Sequence, residues 1–147
     1  MEPMNIRPSE PRDLPFLRDL FLRSRRATFH WTSPSFFSLA DFDMETEGEQ
    51  HLVALYNEQP VGFVSVWQPS NFIHHLHVDP NYLRRGIGKA LLSALPGWKR
   101  SCYQLKCVSA NSGALVFYLA HGFTKVGEGY ADHQHYQLLE SSGFESS

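Results

Sequence analysis

The most informative segment of the sequence reads Val78-Asp79-Pro80-Asn81-Tyr82-Leu83-Arg84-Arg85-Gly86-Ile87-Gly88-Lys89-Ala90-Leu91-Leu92. A strand-like run ends at Val78, a turn with glycine follows, and an apolar periodicity typical of a helix begins at Ile87. The first N–H groups of a helix have no partner inside the helix and, together with the helix dipole, attract anions. Glycine lets the backbone approach a phosphate closely, and the arginines and Lys89 add positive charge. The segment therefore predicts a pyrophosphate-binding turn.

Two other nucleotide motifs do not fit this segment. A Walker loop requires GxxxxGK[ST], which the sequence lacks, and a dinucleotide fingerprint requires GxGxxG, whereas the residue three after Gly88 is Leu91. A helix start decorated with ordinary surface arginines would also produce a short GxG pattern. The preceding strand and the local cluster of basic residues favour the phosphate site.

A second motif follows at Asn111, Ala114 and Phe117-Tyr118, with Gly122-Phe123 after it. The two motifs in this order resemble those of the GCN5-related N-acetyltransferase (GNAT) superfamily. That family has [Gln/Arg]-x-x-Gly-x-[Gly/Ala] after a strand ending in Val-x-Pro, and then Asn-x-x-Ala-x-x-x-Tyr. The sequence departs from the pattern at Leu83, where the family has Gln or Arg. A cradle of backbone N–H groups does not depend on that side chain.

The order of elements along the whole chain also looks like that family. Periodicity and turn residues predict β, α, α, a meander of three antiparallel strands, then α, β, α, β, β in one mixed α/β (α+β) sheet. A GNAT-type fold implies a mostly antiparallel sheet with helices on both faces and one splayed pair of parallel strands, here 72–78 and 103–109. The remaining predictions are strands at 5–7, 51–56, 61–67, 123–128 and 133–139, and helices at 13–26, 35–42, 87–95 and 111–121.

Composition sets outer limits on the kind of protein. The 147 residues, 42% of them apolar, fit a single domain over 1–147 with a loose tail from about 141 to 147. A formal net charge of −2 does not favour a nucleic acid or a membrane surface as partner. Cys102 and Cys107 fit no disulfide framework, and the N-terminus lacks the regions of a signal peptide. The expected location is the cytoplasm.

The resemblance implies acetyl-CoA as the donor and an amine, in a small molecule or a peptide, as the acceptor. It assigns to the Val78 amide the stabilisation of the oxyanion at the thioester carbonyl. Tyr118 matches the family's general acid, which protonates the leaving thiolate, and core packing is its structural alternative. The positions that match cofactor contacts are Leu76, His77, Val78, Arg84, Arg85, Gly86, Ile87, Gly88, Lys89, Asn111, Phe117 and Tyr118.

The general base is the least determined position. Family members often use an acidic residue on the fourth strand, whereas this strand reads Ile73-His74-His75-Leu76-His77. Alternation along a strand puts His75 and His77 on one face and His74 on the other. Histidine is a suitable base near neutral pH, so His75 is the first candidate and His74 the second. Polar strand residues that face solvent or the acceptor cleft are an equally good alternative, and Glu47 is a further candidate for base or acceptor binding.

Aromatic residues lie where the family binds its acceptor. Phe29 and Trp31 are candidates for holding an apolar or cationic acceptor, or for packing in the core. The pairs His75-x-His77 and His133-x-His135 each place two imidazoles on one strand face. Two imidazoles rarely complete a metal site, so no metal is expected.

Two functions remain open from the sequence. One is an N-acetyltransferase, and the other is a module of the same fold that binds or senses acyl-CoA without turnover. Tyr118 favours the enzyme, whereas Leu83 and the missing carboxylate on strand 72–78 are compatible with the binding module. Polyamines, aminoglycosides, amino acids and protein amines all fit as acceptors, and a homodimer is compatible with the fold.

Overall fold

The computed structural model describes residues 4–29 and 32–142. In this part of the chain the helices are α1 (Leu14–Thr28), α2 (Asp41–Glu45), α3 (Ile87–Ser93) and α4 (Ser112–Ala120). The strands are β1 (Met4–Pro8), β2 (Gln50–Tyr56), β3 (Gln59–Trp67), β4 (Phe72–Val78), β5 (Gln104–Val108), β6 (Phe123–Ala131) and β7 (Gln134–Ser141). They form one sheet in the order β1-β2-β3-β4-β5-β7-β6. None of the described helices is both long and apolar enough to cross a membrane.

The sheet separates two apolar cores, one beneath each pair of helices. On the first face, Val53, Leu55 and Phe63 of the sheet pack with residues of α1 and α2. On the second face, the alternate residues of the same strands pack with α3 and α4. Because side chains along a strand alternate between faces, both faces of the central strands are buried. The predicted α/β class with helices on both faces is confirmed.

The helix α3 lies unusually close to the sheet at Gly62. A Cβ added there would come within 3.0 Å of Ile87 and 3.2 Å of the carbonyl oxygen of His77. The missing side chain therefore lets the start of α3 pack directly on β3. This contact fixes the helix that follows the predicted phosphate turn.

The strand β4 carries a bulge at His74. Ser65 pairs with His75, while its neighbour Val66 pairs with Ile73, so β4 has one residue more than β3 at this point. An extra residue interrupts the regular alternation of a strand. The rings of His74 and His75 consequently lie together, with centroids 4.0 Å apart. The prediction that alternation puts them on opposite faces is wrong.

The strands β4 and β5 run parallel but separate after their first residues. Within the described chain they are in register at one pair, Phe72 and Gln104. On its other side β4 stays paired with β3 as far as Gly62 and Val78. A gap therefore opens between the carboxyl ends of β4 and β5, which confirms the splayed pair that the fold class predicts.

One hydrogen bond shows which backbone N–H groups of β4 face this gap. The Asp79 N–H donates to the Val61 carbonyl at 2.8 Å, so Asp79 is directed toward β3. Hydrogen-bonded and non-hydrogen-bonded pairs alternate along an antiparallel ladder. The backbone of His77 therefore also faces β3, whereas the N–H groups of Leu76 and Val78 face the gap.

Two elements on the periphery differ from the sequence prediction. The helix predicted over 35–42 is replaced by a 3-10 turn at Pro34–Phe36 and the later helix α2. The reason is local, because the Ser38 N–H and hydroxyl both donate to the Asp41 carboxylate and fix a new start there. Ser141, assigned to the tail, is buried at the end of β7 and bonded to Tyr103; residues 143–147 lie outside the described part.

The closing hairpin also turns later than predicted. The segment 127–129 lies inside β6, and the turn is formed by Asp132 and His133, which both have positive φ (50° and 63°). Glycine is not required there, since Asp and His tolerate this conformation better than most residues. The segment Gly127-Glu128-Gly129, which contains two glycines, instead coincides with a register shift between Lys125 and Gly127.

Candidate active site

The predicted phosphate turn lies directly beyond the carboxyl end of β4. Asp79 closes the strand, and its carboxylate accepts hydrogen bonds from the Asn81 N–H at 2.9 Å and from Arg23 of α1 at 3.0 Å. Burial alone would raise the pKa of Asp79, but Arg23 and the Asn81 amide hold it below the ordinary value. A buried, charged carboxylate thus ties α1 to the start of the turn.

The backbone of the turn is open toward solvent. Gly86, the N-cap of α3, has φ 77°, and a Cβ added to it would meet no atom within 4 Å among the described residues. The helical hydrogen bonds begin with the Ala90 N–H, which donates to the Gly86 carbonyl at 3.0 Å. The N–H groups of residues 87–89 precede that bond and are available to an anion.

Three cations surround this open backbone. Arg84, Arg85 and Lys89 are all exposed, and the Arg85 guanidinium lies 5.0 Å from the centroid of the Tyr82 ring. Arg84 also has positive φ (64°), which its sequence did not predict. The turn therefore combines positive charge with a reachable backbone, as a pyrophosphate requires.

The helix α4 forms the wall behind the turn. Asn111 caps it, with its side-chain oxygen accepting the Ala114 N–H at 3.2 Å, as the sequence predicts. The Phe117 ring lies 3.0 Å from where a Cβ on Gly88 would be, so α3 and α4 touch at this point. Asn111 thus begins α4, and Phe117 packs α4 against α3 behind the turn.

Tyr118 lies inside the core between α4 and the sheet. It is 9% exposed, and its ring makes an edge contact with Phe123 at 5.3 Å. Burial, and then the neighbouring Cys107 on β5, raise the pKa of Tyr118. The phenol is therefore fully protonated at neutral pH, and it lies beside the strand that forms one wall of the gap.

A chain of polar side chains crosses the opposite face of the sheet. Glu49, just before β2, has a side chain that is only 7% exposed. Its two oxygens are 2.9 Å from His74 Nδ1 and 2.5 Å from Ser65 Oγ. A carboxylate can only accept, so both partners donate, and in a neutral His74 ring the lone pair is then on Nε2. The His74 side chain is 41% exposed, so its ring can be reached from solvent.

His75 is the buried neighbour of this pair. Its side chain is 11% exposed, and burial, followed by repulsion from His74, lowers its pKa to about 2. Its Nε2 is buried without a hydrogen-bond partner among the described residues and lies 3.9 Å from the Glu45 carboxylate. His75 is therefore neutral, with an unsatisfied polar atom aimed at the acidic side chains of this face.

His77 belongs to the core rather than to the cofactor side. Its Nδ1 is 2.8 Å from the Ser24 hydroxyl, and its ring stacks on Phe63 at 5.7 Å. Burial, and then Arg25, lower its pKa to about 3. Because its backbone also faces β3, the geometry does not support the predicted pairing of His77 with the cofactor.

Of the predicted acceptor residues, the structure describes Phe29 and Glu47. Phe29 ends α1, and its ring centroid is 6.2 Å from that of the buried Phe37. Glu47 is exposed in the turn before β2, and Trp31 lies outside the described residues. Arg25 connects this region, since it bonds Glu45 at 2.9 Å and lies 4.4 Å from the Phe37 ring centroid.

Glu49 is the functional candidate that the sequence did not single out as a partner of His74. The two residues are 25 positions apart and meet only because the meander of β2, β3 and β4 brings the start of β2 beside the bulge. No spacing rule connects them. The short turn at 57–58, which fixes the β2–β3 hairpin, was an indirect indication that Glu49 and His74 could meet.

Comparison with known proteins gives the same family as the two motifs. Residues 14–123 match the acetyltransferase (GNAT) family, and the chain belongs to it. An uncharacterised N-acetyltransferase of Escherichia coli K12, YafP, is 34% identical over 134 residues, covering 86% of this chain and 85% of that protein. N-acetyl transfer from acetyl-CoA is the activity that this membership carries.

Two solved structures show the same fold. The PaiA N-acetyltransferase of Thermoplasma acidophilum in complex with coenzyme A superposes with a TM-score of 0.78 at 20% identity, over 95% of this chain and 99% of that one. The ribosomal-protein-S18-alanine N-acetyltransferase of Escherichia coli gives 0.74 at 19% identity, over 99% and 97%.

A matched pair of glycine variants tests the turn. We expect Gly86→Val to abolish the thermal stabilisation by CoA, because the new side chain would fill the space where the backbone meets the pyrophosphate. Gly97→Val is the control, since Gly97 also has positive φ (67°) but lies beyond the end of α3. Left-handed backbone disfavours both variants, so both should melt earlier than the parent without ligand.

The measurement is a thermal-shift titration of the parent and both variants. A ligand that binds only the native state raises the free energy of unfolding by roughly 2.7 kcal/mol at a hundredfold excess over Kd. The parent and Gly97→Val should show this shift. A Gly86→Val protein that responds like the parent would contradict the location of the phosphate site.

Proposed function

We propose that the protein acetylates a primary amine by direct attack on acetyl-CoA at the gap between β4 and β5, with His74 as general base and Tyr118 as general acid. The observation that carries this proposal is the hydrogen-bonded chain Ser65–Glu49–His74, in which a buried carboxylate holds an exposed histidine of β4. A general base oriented by a carboxylate is a recurring catalytic arrangement.

The cofactor end of the site provides binding and orientation. Acetyl-CoA supplies the activated acetyl group, and the open backbone at residues 86–89 with Arg84 and Arg85 would hold its pyrophosphate. The inward-facing N–H groups of Leu76 and Val78 would pair with the arm that follows. Asn111 and Phe117 support this wall from α4.

His74 is a better base than His75 on two grounds. The side chain of His74 is exposed, whereas that of His75 is buried. Glu49 fixes the ring of His74 in one orientation, with Nδ1 donating and Nε2 free. The attacking amine must lose a proton, and His74 is placed to accept it as the C–N bond forms.

The position of His74 also favours Leu76 as the donor to the thioester oxygen. Successive residues in a strand are about 3.3 Å apart, so Leu76 is about 7 Å from His74 along β4, and Val78 is about 13 Å away. The reacting carbon has to be near both the base and the donor. The Leu76 N–H therefore stabilises the negative charge that develops on the thioester oxygen, and the Val78 N–H binds further along the arm.

Tyr118 completes the proton balance. As the carbon–sulfur bond breaks, the Tyr118 hydroxyl gives its proton to the departing thiolate and regains one from solvent. Its position on α4, next to Cys107 on the wall of the gap, supports this role. The acceptor is a primary amine, and the half-buried Phe29 offers it an apolar surface on the face that carries the acidic Glu45 and Glu49.

The acceptor class and the base are tested together. Release of free CoA is first measured across a panel of polyamine, aminoglycoside, amino acid, peptide-lysine and N-terminal amines. On the best acceptor, we expect His74→Gln to lower kcat/KM by about 10²–10⁴-fold, the usual contribution of a positioned base. Glu49→Gln should lower it less, because it acts by orienting His74. The CoA affinity of both should stay parental.

A double variant separates positioning from simple structural damage. If Glu49 acts through His74, the double variant should be no slower than His74→Gln alone, so the two effects are not additive. His133→Gln, an exposed histidine on the β6–β7 turn, is the control and should keep the parental rate. A His74→Gln enzyme with parental kcat/KM, where chemistry is rate-limiting, would eliminate His74 as the base.

The acid is tested by removing one hydroxyl. We expect Tyr118→Phe to lower kcat by about 10²–10⁴-fold while the CoA Kd changes little, because the ring still packs in the core. Tyr103→Phe is the matched control: Tyr103 lies in the same core, and its hydroxyl donates to the Pro96 carbonyl instead. The Tyr103→Phe variant should be less stable than the parent but should keep the parental kcat.

Pre-steady-state kinetics decides the meaning of the result. A Tyr118→Phe protein with the parental rate of acetyl transfer in a single turnover would contradict the acid role. A large rise in the CoA Kd with unchanged kcat would make Tyr118 a packing residue.

A further inference from the structure

The bulge in β4 produces a cluster of three potential metal ligands. Glu49, His74 and His75 each present one ligand atom, and these atoms all lie within 4.8 Å of one another. Regular alternation would have directed one of the two histidines to the other face, so the sequence did not predict this cluster. The extra residue at His74 brings both imidazoles to one carboxylate.

The three ligands suit zinc. Two imidazoles and one carboxylate, with a fourth position left open, form a recurrent zinc site. Ligands bonded at about 2.0–2.1 Å in a tetrahedron are about 3.3 Å apart. His74 Nδ1 and the Glu49 oxygen are 2.9 Å apart, and the most distant pair is within 4.8 Å, so side-chain rotations are enough to reach that geometry.

The surroundings also favour an ion at this place. The hydroxyl of Ser65 holds the second oxygen of Glu49, and such a support orients a metal-binding carboxylate. The buried Nε2 of His75 has no hydrogen-bond partner among the described residues, which is unfavourable until something satisfies it. The exposed edge of His74 leaves the cluster open to solvent.

We propose that Glu49, His74 and His75 form a binding site for a divalent transition metal, zinc in the first instance, on the acceptor side of the active site. Metal binding does not depend on acetyl transfer. A bound metal would nevertheless affect acetyl transfer, because a His74 ring and a Glu49 carboxylate that are held by the metal cannot provide a positioned base for the amine. Zinc is therefore expected to block the acceptor side and leave CoA binding at the Gly86 turn intact.

The test measures binding without substrates. Exposed Cys102 is another zinc ligand, so all proteins carry Cys102→Ser. Calorimetry should give one zinc per chain, and Co²⁺ should give the visible absorption of a tetrahedral site. We expect His74→Asn and Glu49→Gln each to lower the affinity for both metals at least about tenfold. His133→Gln, which removes a histidine of the other predicted pair, should bind like the parent.

Two further readouts complete the test. Zinc should inhibit competitively with the amine acceptor, a chelator should restore activity, and the thermal shift by CoA should be unchanged by zinc. His74→Asn lies at an exposed position, so a thermal melt checks that it folds. Parental zinc affinity in folded His74→Asn, or loss of affinity in His133→Gln, would overturn the proposal. Because calorimetry requires no turnover, this result is independent of whether His74 is the base.

Discussion

The divergence of β4 from β5 is the constraint on which the rest of the site depends. β4 is held along one edge by β3, and along the other it is in register with β5 at Phe72 and Gln104 within the described chain. Beyond that pair, the N–H groups of Leu76 and Val78 face a gap rather than a neighbouring strand. Buried backbone donors need partners, so the gap is predisposed to bind an extended ligand. The same strand leads into the turn that we propose receives the phosphates.

The two faces of this strand divide the chemistry. The face toward α3 and α4 carries the cofactor side, with Gly86 at the open turn and Tyr118 in the core. The face toward α1 carries His74 with its partner Glu49, in front of the buried ring of His75. Under the proposed function, the donor enters the gap from one face and the amine from the other. The bulge in β4 contributes to this arrangement, because it turns His74 toward Glu49.

The sequence predicted the features that local pattern encodes. The turn at 84–88, the cap at Asn111 and the meander of β2, β3 and β4 each depend on residues close together in the chain, and the structure has them. The bulge, the Glu49–His74 pair and the late start of α2 were not predictable in this way. A bulge is a property of two paired strands, and Glu49 meets His74 only after the sheet forms. The side chain of Asp41, rather than periodicity, sets the beginning of α2.

Amide hydrogen exchange can show whether CoA occupies the gap between β4 and β5, because it reports on the backbone of β4 residue by residue. In the free protein, the amides of Leu76 and Val78 should exchange fast, while those of His77 and Asp79, which bond β3, are protected. Saturation with CoA should protect Leu76 and Val78 and leave His77 and Asp79 unchanged. If CoA binds and the amides of Leu76 and Val78 keep their free exchange rates, the gap between β4 and β5 is not the cofactor site.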